Sequence, residues 1–225
     1  TGNSNAIVNG IDLDGEGGLV WGKRRNQGNS HWLIDTEGGI DSRLESDGTT
    51  AAADKSAQFT AFNDDGFTVA TNDHEFNRSG GTFVTWTFRK AEKFFDVVEY
   101  TTDSGNHHQK TISHNLGVVP AVIIIKGKDT TNSWYVFHKD LTNNSSGTYR
   151  NYTLLNVSNP EADSGGNYLT ATDSAFTIES FVTDVNVEHV VYLFASDAGG
   201  FGDDADEHII KCGIFTGTGS TAGSV

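Results

Sequence analysis

Methionine is absent from the 225 residues, cysteine occurs once and proline twice. A lone Cys212 excludes a framework of intrachain disulfides. In its apolar setting it reads as a small buried residue. Positive charge is scarce: 15 Lys and Arg stand against 30 Asp and Glu, for a net charge of −15. Such a surface repels phosphate and disfavours a nucleic-acid partner. The plain reading of the acid excess is solubility, and the sharper one is divalent-cation binding in acidic loops. Long apolar runs are missing too. The longest, Val118 to Ile125, falls far short of the about 20 residues of a membrane helix, so no membrane insertion is expected. No secretory leader pattern is visible. A chain without methionine that starts at Thr1 is expected to be a piece of something longer, or a processed product.

What the chain does have is turn chemistry and strand formers. Its 26 glycines suit many tight turns, and hydrophobic residues make up 36%, enough to build a core. Aromatic and β-branched residues fall in short runs that favour strands. Helix signals are thin. Ala51 to Ala57 is the best candidate and reads as loop or a single turn. The expected fold class is all-β: an antiparallel β-sandwich, jelly-roll-like, built as two tandem related modules or as one pseudo-symmetric sandwich.

The tandem reading comes from an internal repeat. Gly18 to Lys23, a polar loop, and His31 to Asp35 are matched by Ala121 to Lys126, a polar loop, and Trp134 to His138. Both loops place Asn-Ser before the aromatic strand, at Asn29-Ser30 and Asn132-Ser133. Later, Asp64-Asp65-Gly66-Phe67-Thr68-Val69 matches Asp173-Ser174-Ala175-Phe176-Thr177-Ile178, and the strands Thr82 to Arg89 and Glu188 to Ala195 close the copies. Similarity at this spacing marks a modular array. Phe95 to Thr102 opens the second copy, and Ile209 to Thr216 looks like the opening strand of another. The expected division is 1–91, 92–206, and 207–225 as an opening strand plus a flexible Gly/Ser/Thr tail. Each sandwich would be closed partly by a neighbour's strand.

One stretch carries a family resemblance. Tyr100-Thr101-Thr102 leads to Ile112-Ser113-His114-Asn115-Leu116-Gly117-Val118-Val119-Pro120, then Ile123-Ile124-Ile125-Lys126, then Trp134-Tyr135-Val136-Phe137-His138. This order resembles a domain of unknown function in virion and tail-fibre-like proteins of marine bacteriophages, cyanophages included. The junction Lys90 to Val98 resembles that family's usual boundary between copies. The resemblance covers nearly the whole chain and is closer from Thr111 to Ala195 than before Lys90. The first copy departs from it, with Val8-Asn9-Gly10-Ile11-Asp12-Leu13 in place of the Ser-His-Asn-Leu-Gly turn and no proline. What it implies is a location on the outside of a virus particle; no biochemical activity is carried over from it.

Candidate chemistry is sparse. His107 and His108 are adjacent, so on a strand they point to opposite faces and do not share an ion. No spaced metal-ligand pattern occurs, and no zinc site is expected. Asp203-Asp204-Ala205-Asp206-Glu207 and Asn63-Asp64-Asp65-Gly66 are acidic loops without the twelve-residue calcium pattern; calcium is the one ion they invite, and no other cofactor is expected. No nucleophile elbow, phosphate loop or dinucleotide fingerprint is present, so no catalytic residue is assigned. Trp21, Trp32, Trp86 and Trp134 all fall in strand patterns, where an aromatic belongs to the core more often than to a ligand face. Trp32 with Asn29, and Trp134 with Asn132, are the candidate ligand contacts, since each indole adjoins an Asn-Ser loop.

With no catalytic motif in the residues, what the resemblance implies is a non-enzymatic virion structural protein, a fibre, appendage or surface decoration, expected to contribute to host attachment. The expected partners are other virion proteins, further copies of the chain (a trimer by analogy with fibres) and a host surface glycan. The rival expectation is a carbohydrate-binding or polysaccharide-depolymerising module of a secreted or surface protein.

Overall fold

A computed structural model describes residues 4–70, 73–104, 109–166, 168–178 and 185–219. His107 and His108 lie outside them. Among the described residues there is no helix, and the sixteen strands form four antiparallel sheets.

The first half contributes β1 (Asn5–Val8), β2 (Gly18–Arg24), β3 (Trp32–Asp35), β4 (Phe59–Asn63), β5 (Gly66–Val69) and β6 (Phe83–Arg89). They make two three-stranded sheets, β1-β5-β4 and β3-β2-β6. The second half begins with β7 (Phe95–Thr101), β8 (Lys110–Ser113), β9 (Val122–Gly127) and β10 (Tyr135–His138). The short strands β11 (Thr148–Tyr149), β12 (Asn151–Leu154), β13 (Ala162–Asp163) and β14 (Leu169–Ala171) follow, then β15 (Ala175–Ile178) and β16 (Glu188–Phe194). Their sheets are β13-β12-β10-β9-β16-β7 and β11-β14-β15-β8.

The repeat is visible in the pairing. The order β3-β2-β6 recurs as β10-β9-β16, and β1-β5-β4 recurs as β8-β15-β14. Registers agree: Trp21 faces Leu33 and Trp86, and Ile124 faces Val136 and Tyr192. By this register Trp32 corresponds to Tyr135, and His31 to Trp134. The second half adds β12 and β13 outside β10, and β7 outside β16. In the polar stretch after β3, Arg43 and Leu44 do no more than bridge, pairing singly with Ala53 and Leu33.

Strand alternation sorts the side chains into three apolar layers between four sheets. Val20, Trp32 and Ile34 pack on Phe59, Phe67 and Val69 inside the first sandwich. Ile123, Ile125, Val191 and Leu193 pack on Ile112, Leu169, Phe176 and Ile178 inside the second. The opposite parity points the other way. Leu19 and Leu33 meet Phe95, Val97, Trp134, Val190 and Tyr192 in a third core that joins the halves. Gly22 shows how tightly the first sandwich is filled, because a Cβ there would lie 2.0 Å from a ring carbon of Trp32. Gly66, at φ 153°, closes the β4–β5 turn where a Cβ would overlap the carbonyl oxygen of Ile7.

Polar groups cross the joining core as well. Tyr192 Oη donates to Asp35 Oδ2 at 2.8 Å, and both residues are buried. Burial raises the Asp35 carboxyl above its usual range, against the opposing N–H of Gly38 and the Tyr192 hydroxyl. Trp134 Nε1 donates to the Glu45 carbonyl at 2.8 Å. Lys126, fully buried, donates to the carbonyls of Thr49, Gly127 and Thr130 at 3.2, 2.7 and 3.1 Å. Burial pulls its ammonium down to about 8. Ala52 N donates to Lys128 O at 2.6 Å, so the backbones of the two halves also meet.

Two predictions follow from this packing. Tyr192→Phe leaves the buried Asp35 Oδ2 without its donor, and urea denaturation at pH 7 should show a loss of about 1–3 kcal/mol. His114 is buried, and its Nδ1 accepts the Leu116 N–H at 3.2 Å. Burial lowers its imidazole below the ordinary value despite the nearby Asp96 and Asp173. A depressed histidine gives stability that is whole above the unfolded value of about 6.5 and is lost as pH falls through the folded one. The urea midpoint should therefore fall between pH 7.5 and pH 5, with a shallower fall in His114→Gln.

Candidate functional site

The outward parity of β2 and β6 carries more aromatic surface than the joining core covers. Trp21 and Trp86 are direct cross-strand partners. Their rings meet edge to face at 6.1 Å and 67°. His31, one residue before β3, stacks on Trp86 at 6.5 Å and 12°. It also accepts the Trp21 Nε1–H at its Nδ1, at 3.0 Å. That bond requires an unprotonated Nδ1, so the neutral ring keeps its proton on Nε2 as a donor. With Phe88 these residues line an apolar recess of about 220 Å³. Trp86 is 45% exposed, a high value for an indole in mid-strand.

The sheet explains both the position and the rigidity of this patch. Leu19, Trp21, His31, Leu33, Trp86 and Phe88 share one face of β3-β2-β6. At one end Leu19 and Leu33 are buried beneath the second half. At the other end the same face runs out from under it. In the second half the corresponding stacked pair is Trp134 on Tyr192, at 6.3 Å and 17°, and it lies inside the joining core. One structural position is thus buried in one copy and presented to solvent in the other. Polar groups stand at the rim: the His31 N–H donates to Asp47 Oδ1 at 3.2 Å, and Lys23 donates to the Asn29 carbonyl.

The four residues singled out from sequence are not brought together. Trp32 is buried among Phe59, Phe67 and Phe76 and donates to the Glu75 carbonyl at 3.2 Å. Trp134 is fully enclosed in the joining core. Neither indole presents a face to solvent. The two have neither the same register nor the same layer, because the repeat pairs Trp134 with His31. Asn29 lies beside the aromatic patch, in the β2–β3 loop, and Asn132 lies in the β9–β10 loop, half-buried. The residues that do line the recess, Trp21, His31, Trp86 and Phe88, carried a partial signal: Trp21 and Trp86 each sit in a strand pattern, but neither pattern says that the two strands pair. Parity alone does not say which face a neighbouring sheet covers.

A second recess, of about 490 Å³, lies on the seam between the halves and is lined by Glu37, Asp41, Ser42, Glu99, Lys128 and Glu188. Lys128 Nζ bridges Glu99 at 2.5 Å and Glu188 at 3.3 Å. Burial lowers the Lys128 ammonium, but hydrogen bonding to Glu99 and the two carboxylate charges outweigh it and leave the group above its ordinary value. Within the second half, the cation links acids of the paired strands β7 and β16. Among the described residues no three His, Cys, Asp or Glu side chains converge as a metal site. The acidic turn at Asp64-Asp65 uses its backbone, with the Asp65 carbonyl accepting from the amides of Asn9 and Gly10. The loop 203–207 is exposed.

No curated protein and no solved structure matches the chain. One family does, over residues 1–224, and it is described as a domain of unknown function, DUF7483. A match of that extent takes in both sandwiches and the segment after β16, so the chain belongs to the DUF7483 family.

Proposed function

We propose that this chain is a non-catalytic structural module of a virus particle's surface, a fibre, appendage or decoration, which contributes to attachment by holding host carbohydrate. The observation that carries the reading is the exposed recess of Trp21, His31, Trp86 and Phe88. Indole and phenyl faces stack on the C–H faces of a pyranose ring, and polar groups at the rim bind its hydroxyls. Here the Trp86 face, the His31 Nε2–H donor and the Asn29, Lys23 and Asp47 rim offer both kinds of contact. The platform is mounted on a sheet packed on both faces at one end, so its geometry is set before a ligand arrives. A recess this small gives weak single-site binding, and attachment strength comes from many copies on one particle. The resemblance to tail-fibre-like proteins supplies the virion setting, with other virion proteins and further copies of the chain as partners.

A glycan array probed with the chain displayed multivalently tests the reading. Binding to a defined set of saccharides is expected, reduced about tenfold or more by Trp86→Ala, as for a central aromatic anchor. Because Trp86 is exposed, that variant should keep nearly full stability. Trp134→Ala empties the corresponding position in the joining core and should cost about 3–5 kcal/mol in urea denaturation. No saccharide binding by the wild-type chain would overturn the proposal. So would saccharide turnover abolished by Glu99→Gln, which would make the seam recess an active site.

A further inference from the structure

The two copies differ at one edge. In the second sandwich β7 lies along β16, pairing from Phe95 with Phe194 to Thr101 with Glu188. Tyr100 of β7 thereby covers the open side of that sandwich. Its ring stacks on His189 at 5.0 Å, meets Phe176 at 6.3 Å and is 6% exposed. In the first sandwich the strand corresponding to β16 is β6, and among the described residues β6 is the edge of its sheet. The residues at the positions of His189 and Phe176 are Phe83 and Phe67. They line an apolar groove of about 140 Å³ together with Ile7, Trp32, Val69 and Phe76. What β7 fills in one copy is open in the other.

The chain also carries a segment of the right kind without a sheet. Residues 209–219 belong to no strand. Ile210 O and the Cys212 backbone are tied to Asp197 and Ser196. Ile214 is 67% exposed and Phe215 is 94% exposed, the highest value among the large apolar residues described. Lys211-Cys212-Gly213-Ile214-Phe215-Thr216 aligns with Asp96-Val97-Val98-Glu99-Tyr100-Thr101 of β7, which sets Phe215 where β7 has Tyr100. The family match extends to residue 224, so the segment is part of the unit that the family shares.

We propose that residues 211–216 add as a strand to the free edge of β6 in a second copy of this chain, with Phe215 entering the groove beside Phe83 and Phe67. This is β-augmentation: main-chain hydrogen bonds supply the pairing and one buried side chain supplies the register. The β7–β16 register fixes the geometry, antiparallel, with Phe215 opposite Phe83, Ile214 opposite Val84 and Cys212 opposite Trp86. The contact joins different surfaces of the two copies, so it propagates head to tail and ends in a closed ring or an open filament. An exposed phenyl ring and an unpaired sheet edge both leave water in the same step.

The register supplies the test, which is independent of carbohydrate binding. The native Cys212 and a Trp86→Cys substitution should form a disulfide between copies under mild oxidation, giving a ladder of multimers on a non-reducing gel. Thr85→Cys points to the other face and should not. The wild-type chain, also oxidised, accounts for any Cys212–Cys212 dimer. Light scattering of the wild-type chain should show a mass rising with concentration above the 24.2 kDa of one chain. Phe215→Asp, a change at a solvent-exposed side chain, should hold it at one chain with an unchanged melting temperature. A chain of single mass at every concentration with no Trp86→Cys multimer overturns the proposal. So does a disulfide formed only within one chain, which would place the segment on its own β6.

Discussion

Everything in this molecule is arranged around the core that joins its two sandwiches. A sheet in a sandwich has one face to bury inside and one to leave in water. Here β3-β2-β6 and the six-stranded sheet bury both, because their outward parities are apolar as well. Leu19 and Leu33 on one side face Phe95, Val97, Val190 and Tyr192 on the other. Four sheets and three apolar layers result. The polar crossings, Tyr192 to Asp35, Trp134 to Glu45 and Lys126 to Thr49, fix the relative position of the layers, since each buried donor has an acceptor in the opposite half.

The joining core also accounts for where function is sought. Copies of one sheet face were used in two ways. In the second half the aromatic pair Trp134–Tyr192 is spent on holding the halves together. In the first half the corresponding pair, His31–Trp86, extends past the covered end and stays in solvent. A duplicated module can keep its fold while one copy's surface is freed for a ligand, because the fold's stability is already supplied by the inner layers. The same logic applies to the edges. The second sandwich is closed by β7, whereas among the described residues β6 is the edge of the first and the segment that matches β7 belongs to no strand. The aromatic recess and the open edge at β6 are both leftovers of one repeat whose ends do not coincide with its sandwiches.

Much of this was legible in the residues, and the limits were physical. The strands at Gly18 to Lys23 and Val190 to Phe194 announce themselves as short apolar runs and Phe83 to Phe88 by alternation, and the Asn-Ser loops and the acidic-turn-Phe strands give away the repeat. The family was legible from Ser113-His114-Asn115-Leu116-Gly117 onward. The candidate site was not. Trp32 and Trp134 stand next to similar loops, yet the register differs by one residue, and in a strand one residue changes the face. Trp32 therefore goes into the first sandwich and Trp134 into the joining core. That the outer face of β2 and β6 is covered only at the Leu19 and Leu33 end depends on how two sheets overlap, which no local pattern encodes. Lys126 is the plainest case: a lysine ending an apolar strand reads as a solvated terminus, and it is instead enclosed and held by three carbonyls.

The central claim is that the two sandwiches form a single cooperative body through their shared core. Scanning calorimetry of the chain tests it most directly. The account predicts one transition whose calorimetric and van't Hoff enthalpies agree. Two resolved transitions, each with the heat of about half the chain, would contradict it and reduce the joining core to a loose contact between independent modules.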